Sequence, residues 1–435
     1  MLASRVVNPK ATRERVERVS AALATIRTKA NLLEEIGWSR SVEEAFFAGG
    51  ATKLPVVHYE FDKASLEEEI RRLDEVLRGI DGEGPIVDWL RSTVASNIDR
   101  NRLLLSVGTR DFGRISREVY GGARTSFFDL PIRNIDLAEH LLERLKIHGW
   151  DAASSDDKAM TSAELVTFLQ ARADKRKLPI TVELDPACTS KAIAGMHHVR
   201  VRTDATFTEW EAEGLYRHEI ETHACTAQNG AAQAFAPLLR SGGPRSTSTQ
   251  EGLAVFAELY HRALAVPRFV RLAERVRLVA MAEDGASFLD VYKHLLDAGA
   301  AAHDAYLDAA RIFRGGPPAG GGAFTKDACY LAGLLHVYAF LAAFVRGGFR
   351  DECEMLVAGR FALSDITALV ELRAMGILER PRYRPRWLRE WNTLLPYFAF
   401  TSFVDGIDLA PVAARYAKVI RFANRATDPA RPLSI

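Results

Sequence analysis

The stretch that most restricts how this chain can fold runs from Trp210 to Gln228. It holds no proline and one glycine, follows the string Thr206-Phe-Thr-Glu209, and contains RHEIETH. A threonine followed three residues later by glutamate is a capping-box signal, so a helix of several turns is expected to start here. On that helix His218 and His223 offer two imidazoles, and Glu219 stands beside the first. In this pattern a divalent metal takes both rings and the glutamate handles protons. The spacing is unusual. At about 100° per residue, an i,i+4 pair is displaced by roughly 40° around the helix axis, but an i,i+5 pair by roughly 140°. A regular helix would point these rings apart. A single π-turn absorbs the extra residue, and such turns gather at functional sites, so one is expected between His218 and His223.

A catalytic zinc usually takes three protein ligands and keeps a fourth position for water. Downstream, STSTQEGLAVFAELY opens a further helix, with Thr249 as a candidate cap and Glu251 in its first turn. If that helix packs beside the first, Glu251 completes a His, His, Glu set. Glu258 lies further along the same face and is a candidate acceptor for the ring N–H of a ligand histidine. The same donors also hold non-haem Fe(II) in oxygenases. Glu219 argues against that reading, because an oxygenase has no need of a carboxylate base beside its first histidine. A third alternative is a non-catalytic regulatory or binding protein that keeps a structural zinc.

Elsewhere helical signals dominate. Ser65 with Glu68 reads as a capping box ahead of Leu66, Ile70, Leu73 and Leu77 at helical spacing, and Thr161 with Glu164 repeats the device. Long charged helices are expected near Arg13 to Glu35 and Ile135 to Lys146. Only Ile180–Leu184 and His198–Arg202 alternate like half-buried strands. The fold class is therefore α+β and predominantly helical, with the metal-site helix following a small β-sheet. Segments 151–157, 241–249 and 315–322 concentrate Gly, Pro, Ser and Asp and read as loops.

Composition sets the outer limits. With 435 residues and 48% apolar side chains the chain can build a large core, and disorder is excluded. Fifty-seven basic residues against fifty-six acidic ones leave a net charge of +1, too little to hold a polyanion or an anionic membrane, so neither a nucleic-acid nor a membrane partner is expected. The apolar run from Ala328 to Val345 reads as a buried core helix. Cys188, Cys225, Cys329 and Cys353 read as buried thiols. Met1 to Arg15 lacks the apolar core of a secretory signal, which makes the cytoplasm the expected compartment.

Two motifs taken together, HEIETH and Gln250-Glu-Gly-Leu-Ala254, resemble the QEGLA-motif family, which includes the microtubule-associated tyrosine carboxypeptidases. Further segments are similar: Asn229, Gly230 and Gln233 after the second histidine, FRGGPPAGGGAFTKDACYLAGL from Phe313 to Leu334, and LVAGRFALSDITALVELRAMGIL. The likeness runs from about Asn31 to about Pro385. It implies a zinc metallopeptidase in which His218, His223 and Glu251 bind Zn²⁺, Glu219 is the catalytic acid and base, and Asn229 and Glu258 support the ligands. It further implies a carboxypeptidase acting on a peptide or protein C-terminus, with tyrosine or another aromatic residue removed; characterised relatives take a tyrosine from tubulin. The domain organisation expected is a helical extension at 1–28, a catalytic domain at 29–413 and a tail at 414–435. Many relatives have a small residue where this chain has Glu221, so an extra carboxylate is expected near the site.

An exopeptidase must read a terminal carboxylate, most economically with Arg or Lys. Arg314 and Lys326, on either side of the glycine-rich 315–322 loop, are candidates, with that loop folding over the substrate. Tyr330 is a candidate oxyanion donor, and Arg245 is a weaker anion-binding candidate. The strand His198–Arg202 could offer an edge to an extended peptide, though ordinary sheet structure is favoured for it. Of His197 and His198, at most one faces inward.

Overall fold

A computed structural model describes residues 8–26, 32–146, 159–186, 188, 190–240, 242–404, 406 and 410–415. The expected 151–157 loop, the 28/29 domain boundary and nearly all of the 414–435 tail lie outside those residues. Helices dominate, as expected. Among those in the first part of the chain are α1 (Pro9–Thr25), α2 (Leu32–Glu35), α3 (Lys63–Arg78), α4 (Pro85–Leu105), α5 (Asn134–Lys146) and α6 (Ser162–Lys175). The side chain of Asp62, not Ser65, caps α3, accepting from the Ser65 amide at 3.0 Å. Ser65 is already inside the first turn. Val16 and Val19 of α1 are buried with Trp89 and Leu90 of α4 and Leu73 of α3 in a common apolar cluster.

The strands are short: β1 (Met160–Thr161), β2 (Thr181–Asp185), β3 (Ala192–Ala194), β4 (His198–Arg202) and β5 (Thr206–Phe207). Three of them form a sheet in the order β2-β4-β3, with β4 parallel to β2 and antiparallel to β3. Alternation decides which side is buried. Val182, Val199, Val201 and Ala192 pack with Leu165 and Leu169 of α6 and with Ile220 and Ala224, which belong to the helix bearing the histidines. β5 pairs with β1, and this shifts the expected helix start. Thr206 and Phe207 are strand residues, so Thr208 becomes the cap and forms the capping box with Glu211.

From there the chain runs through α7 (Glu209–Leu215), a π-helix (Tyr216–Ala224) and α8 (Cys225–Ala231). The remaining helices used below are α9 (Thr247–Tyr260), α10 (Val266–Glu283), α11 (Ala302–Phe313), α12 (Cys329–Arg346) and α13 (Trp391–Val404). α9 starts two residues before the expected cap. Thr249 therefore lies inside it, with its hydroxyl accepting from the Leu363 amide at 2.7 Å, and Glu251 stands in the second turn. The four cysteines are buried and free.

α9 and α12 cross at glycine. A Cβ placed on Gly252 would come within 2.3 Å of the Gly333 backbone, and one on Gly333 within 2.0 Å of the Ser248 carbonyl. Leu331, Leu334, Val337 and Leu341 of α12 join Leu253, Phe256 and Val276 in the largest apolar cluster. The stretch Thr325–Arg346 is long and apolar enough to cross a membrane by length and composition, and half of its apolar window is buried against the protein. Because no side chain fits at the crossing, Gly252→Ala is expected to destabilise the fold by about 1–3 kcal/mol, the usual cost of overpacking. Chemical denaturation checks this, and an unchanged midpoint would show that the two helices can part freely.

Candidate metal centre

The distortion expected between the histidines is present as a nine-residue π-helix, Tyr216–Ala224. Thr222 helps to hold it, its hydroxyl donating at 2.9 Å to the carbonyl of Arg217, five residues back. Glu221 does not lie near the metal-binding face. It is buried and paired with Arg176 and Arg217, and Arg176 also donates to the Arg384 carbonyl. The extra carboxylate expected at the site is thus neutralised away from it.

The π-turn brings the two imidazoles together, with ring centroids 4.7 Å apart and planes at 85°. Glu251 reaches them from α9. Its Oε2 lies 3.3 Å from His218 Nε2 and 3.5 Å from His223 Nε2, and the ligand atoms of all three residues lie within 4.8 Å of one another. For a tetrahedral ion with bonds of about 2.1 Å, donor atoms are separated by about 3.4 Å. Glu251 Oε2 is buried and has no hydrogen-bond partner among the described residues. A buried carboxylate oxygen aimed at two ring nitrogens, at that separation, fits a cation.

Two of the three donors are oriented from behind. His218 Nδ1 lies 2.6 Å from Glu258 Oε1, which leaves Nε2 pointing at Glu251. Glu258 in turn accepts from Arg268 of α10 at 3.3 Å. The other oxygen of Glu251 accepts from Lys326 Nζ at 3.0 Å, and Lys326 also lies 3.3 Å from the Tyr330 hydroxyl. Burial acts to lower the His218 imidazole, but the neighbouring carboxylates of Glu251 and Glu258 outweigh that and push it up to about 10. Burial acts to raise Glu251, yet the Lys326 ammonium and the two imidazoles hold it well below the usual carboxylate range. Lys326 is burdened by the same burial and is held well above its ordinary value by Glu251.

Glu219, half-buried, does not join the cluster. The Ala194 amide of β3 donates to its Oε2 at 2.9 Å, fixing it beside His218 without using its second oxygen. Tyr330 is buried at the end of the Lys326 side chain. Arg314 makes no hydrogen bond or ion pair with the histidines among the described residues. Its guanidinium covers the Phe324 ring at 5.2 Å, and burial lowers it to about 10. The 315–322 loop is tied down and is not free to close. Gly108 N donates to Gly315 O, Gly315 N to the Tyr59 hydroxyl, and Phe288 N to Pro318 O. Its glycines permit close contact; a Cβ on Gly316 would meet Gly322 O at 1.8 Å.

Two further expectations are corrected, and the favoured reading of His198–Arg202 as ordinary sheet structure holds. Arg245 pairs with Asp365 and Ser364, so its charge is already spent. Asn229 makes no hydrogen bond to His218, His223 or Glu251 among the described residues. Its amide donates to the carbonyls of Val357 and Tyr383 at 2.7 and 2.8 Å and accepts from Tyr383 N, bracing the backbone that leads to Arg360. β4 is the central strand, hydrogen-bonded on both sides, and has no edge to offer a peptide. His197 and His198 are both exposed, the latter 3.6 Å from Glu183.

The sequence reading passed over Arg268, the Ala194 amide and Arg360. Arg360 donates to the carbonyl of His223 at 3.4 Å, and the carboxylates of Glu251 and Glu219 act on it electrostatically. Arg268 and the Ala194 amide carry no local motif, and although Arg360 lies in the LVAGRFALSDITALVELRAMGIL segment, nothing local marks it as reaching His223.

A His, His, carboxylate cluster with a second glutamate beside it is a donor set that could hold a metal ion, as hydrolase sites do. The chain belongs to the microtubule-associated tyrosine carboxypeptidase family, whose model matches residues 44–406, and is accordingly a carboxypeptidase-type enzyme. A search of curated proteins gives no match. Among solved structures, it is similar to a protein from Colwellia psychrerythraea described as a lipoprotein, at 13% identity and a TM-score of 0.39. That likeness covers 90% of this chain and 77% of the other, and is too distant to add to the assignment.

If Glu258 orients His218, then Glu258→Gln should weaken metal binding by about 10- to 100-fold, the usual cost of losing a carboxylate behind a ligand imidazole. Titration against a competing chelator measures this. Unchanged retention would show that the contact is incidental.

Proposed function

We propose that this chain is a zinc-dependent carboxypeptidase that hydrolyses the last peptide bond of a peptide or protein, with His218, His223 and Glu251 as the zinc ligands and Glu219 as proton carrier. The observation that carries the proposal is the partnerless, buried Oε2 of Glu251 facing both imidazole Nε2 atoms. Two histidines and one glutamate form a known catalytic zinc set. A zinc ion bound there lowers the pKa of its water towards about 7 and polarises the scissile carbonyl.

The protein's own groups supply the rest. Glu219 is held through one oxygen by the Ala194 amide, which leaves the other to take a proton from the attacking water. Water oxygen bonds to the carbonyl carbon, the C–N bond breaks, and Glu219 returns its proton to the departing amine. Glu258 and Arg268 keep His218 in the tautomer whose Nε2 faces inward, and Lys326 fixes one oxygen of Glu251 so that the other faces the rings. The family's description supports tyrosine as the residue removed. The donor set would also hold Fe(II), but Glu219 has work to do only in a hydrolase.

Glu219→Gln should therefore lower hydrolysis of a peptide ending in tyrosine by at least about 100-fold, while metal content and thermal unfolding stay as in the wild type. His223→Ala should lose the metal itself. Peptidase assays with mass-spectrometric readout, paired with metal analysis of protein purified without added metal, test both. Full hydrolysis by Glu219→Gln, or iron with oxygen uptake in place of zinc, would end the proposal.

A further inference from the structure

We propose that Arg360 binds the terminal carboxylate of the substrate; the inference rests on the carboxypeptidase reading above and names the residue that makes the enzyme act on chain ends. The basic side chains around the centre are nearly all committed. Lys326 is bound to Glu251 and Arg268 to Glu258. Arg311 grips Asp327 with two hydrogen bonds, of 2.6 and 2.9 Å, and Arg275 reaches Asp308 and Asp327. Arg314 has no carboxylate partner among the described residues, but it stacks on Phe324, and the groups that act on it most are Arg311, Asp327, Tyr330 and Arg275.

Arg360 differs from these in where it lies. Among the described residues its only side-chain hydrogen bond is the 3.4 Å contact to the His223 carbonyl and no carboxylate lies within ion-pair distance; its Nε, like those of Arg314 and Arg275, is buried without an acceptor. The acids that act on it from a greater distance are Glu251 and Glu219, the ones at the centre itself. A guanidinium cannot shed its proton, and burying it without a counter-ion is costly. The missing anion is supplied if it arrives with the substrate. A planar fork of N–H donors matches a carboxylate with two parallel bonds, which an internal peptide bond cannot accept in the same way.

The backbone holds this guanidinium in place. Arg360 N donates to Leu239 O at 2.7 Å, Asn229 anchors Val357, and Gly359 packs so closely that a Cβ there would come 2.7 Å from Leu239 Cβ. A rigid mount of this kind suits a residue that measures the distance from the chain end to the bond being cut.

The test uses the full, zinc-loaded chain and two probes: an N-blocked peptide ending in tyrosine as free acid, and the same peptide as C-terminal amide. Wild type should prefer the acid by about 100-fold or more in kcat/KM, the order lost when one member of a buried charge-assisted pair is removed. In Arg360→Gln that ratio should collapse, chiefly through a rise in KM for the acid, whereas a merely structural role would depress both substrates together. Arg360→Lys, which keeps a cation but not the fork, should retain part of the preference and serves if the Gln variant folds poorly. Arg314→Gln should keep the ratio. Equal losses on acid and amide in the Arg360 variants, or a ratio that survives in them and disappears in Arg314→Gln, would overturn the assignment. Absence of hydrolysis by the wild type, or activity unchanged in Glu219→Gln, would strike the carboxypeptidase reading instead.

Discussion

The arrangement depends on one oxygen atom. Glu251 Oε2 is buried, accepts no hydrogen bond among the described residues, and faces two imidazole nitrogens at 3.3 and 3.5 Å. An unpartnered buried carboxylate oxygen is expensive, costing on the order of 1–3 kcal/mol or more. It is tolerated because the surroundings were assembled around a positive charge: Lys326 on the other oxygen, Glu258 and Arg268 behind His218, and the Arg176–Glu221–Arg217 group on the far side of the π-turn.

Two backbone features make that meeting possible. The π-helix rotates His223 onto the face that His218 already occupies, and the Gly252–Gly333 crossing lets α9 approach α12 closely. The second feature acts directly on the site. Gly252 follows Glu251, and α12 begins just after Lys326, so the distance between the helices sets the distance between the carboxylate and the ammonium. Catalytic groups mounted on helices packed this tightly keep their positions better than groups on loops.

Much of this was legible in the amino-acid sequence, and the parts that were not share a cause. HEIETH on a proline-free run called for a π-turn or an equivalent distortion, because a regular helix points residues five apart in different directions, and the structure has the π-helix. β-branched alternation marked β2 and β4 to within a residue. Helix starts were misjudged where a neighbour intervened: β5 pairing with β1 moved a cap from Thr206 to Thr208, and Asp62 displaced Ser65. The glycine-rich loop was misread as mobile because glycine marks close packing as well as freedom, and only the tertiary contacts of Gly316 and Gly322 separate the two. Arg360 was passed over for a related reason: which arginine comes close to the histidines is settled by long-range packing, which leaves no local periodicity.

The central claim is that a single cation sits between His218, His223 and Glu251. The most direct measurement is X-ray anomalous scattering at the zinc edge, on crystals of protein purified without added metal. The account requires one peak, about 2.0–2.2 Å from Nε2 of both histidines and from a Glu251 oxygen. A metal-free site with both Glu251 oxygens turned to Lys326, or a peak held by other side chains, would contradict it.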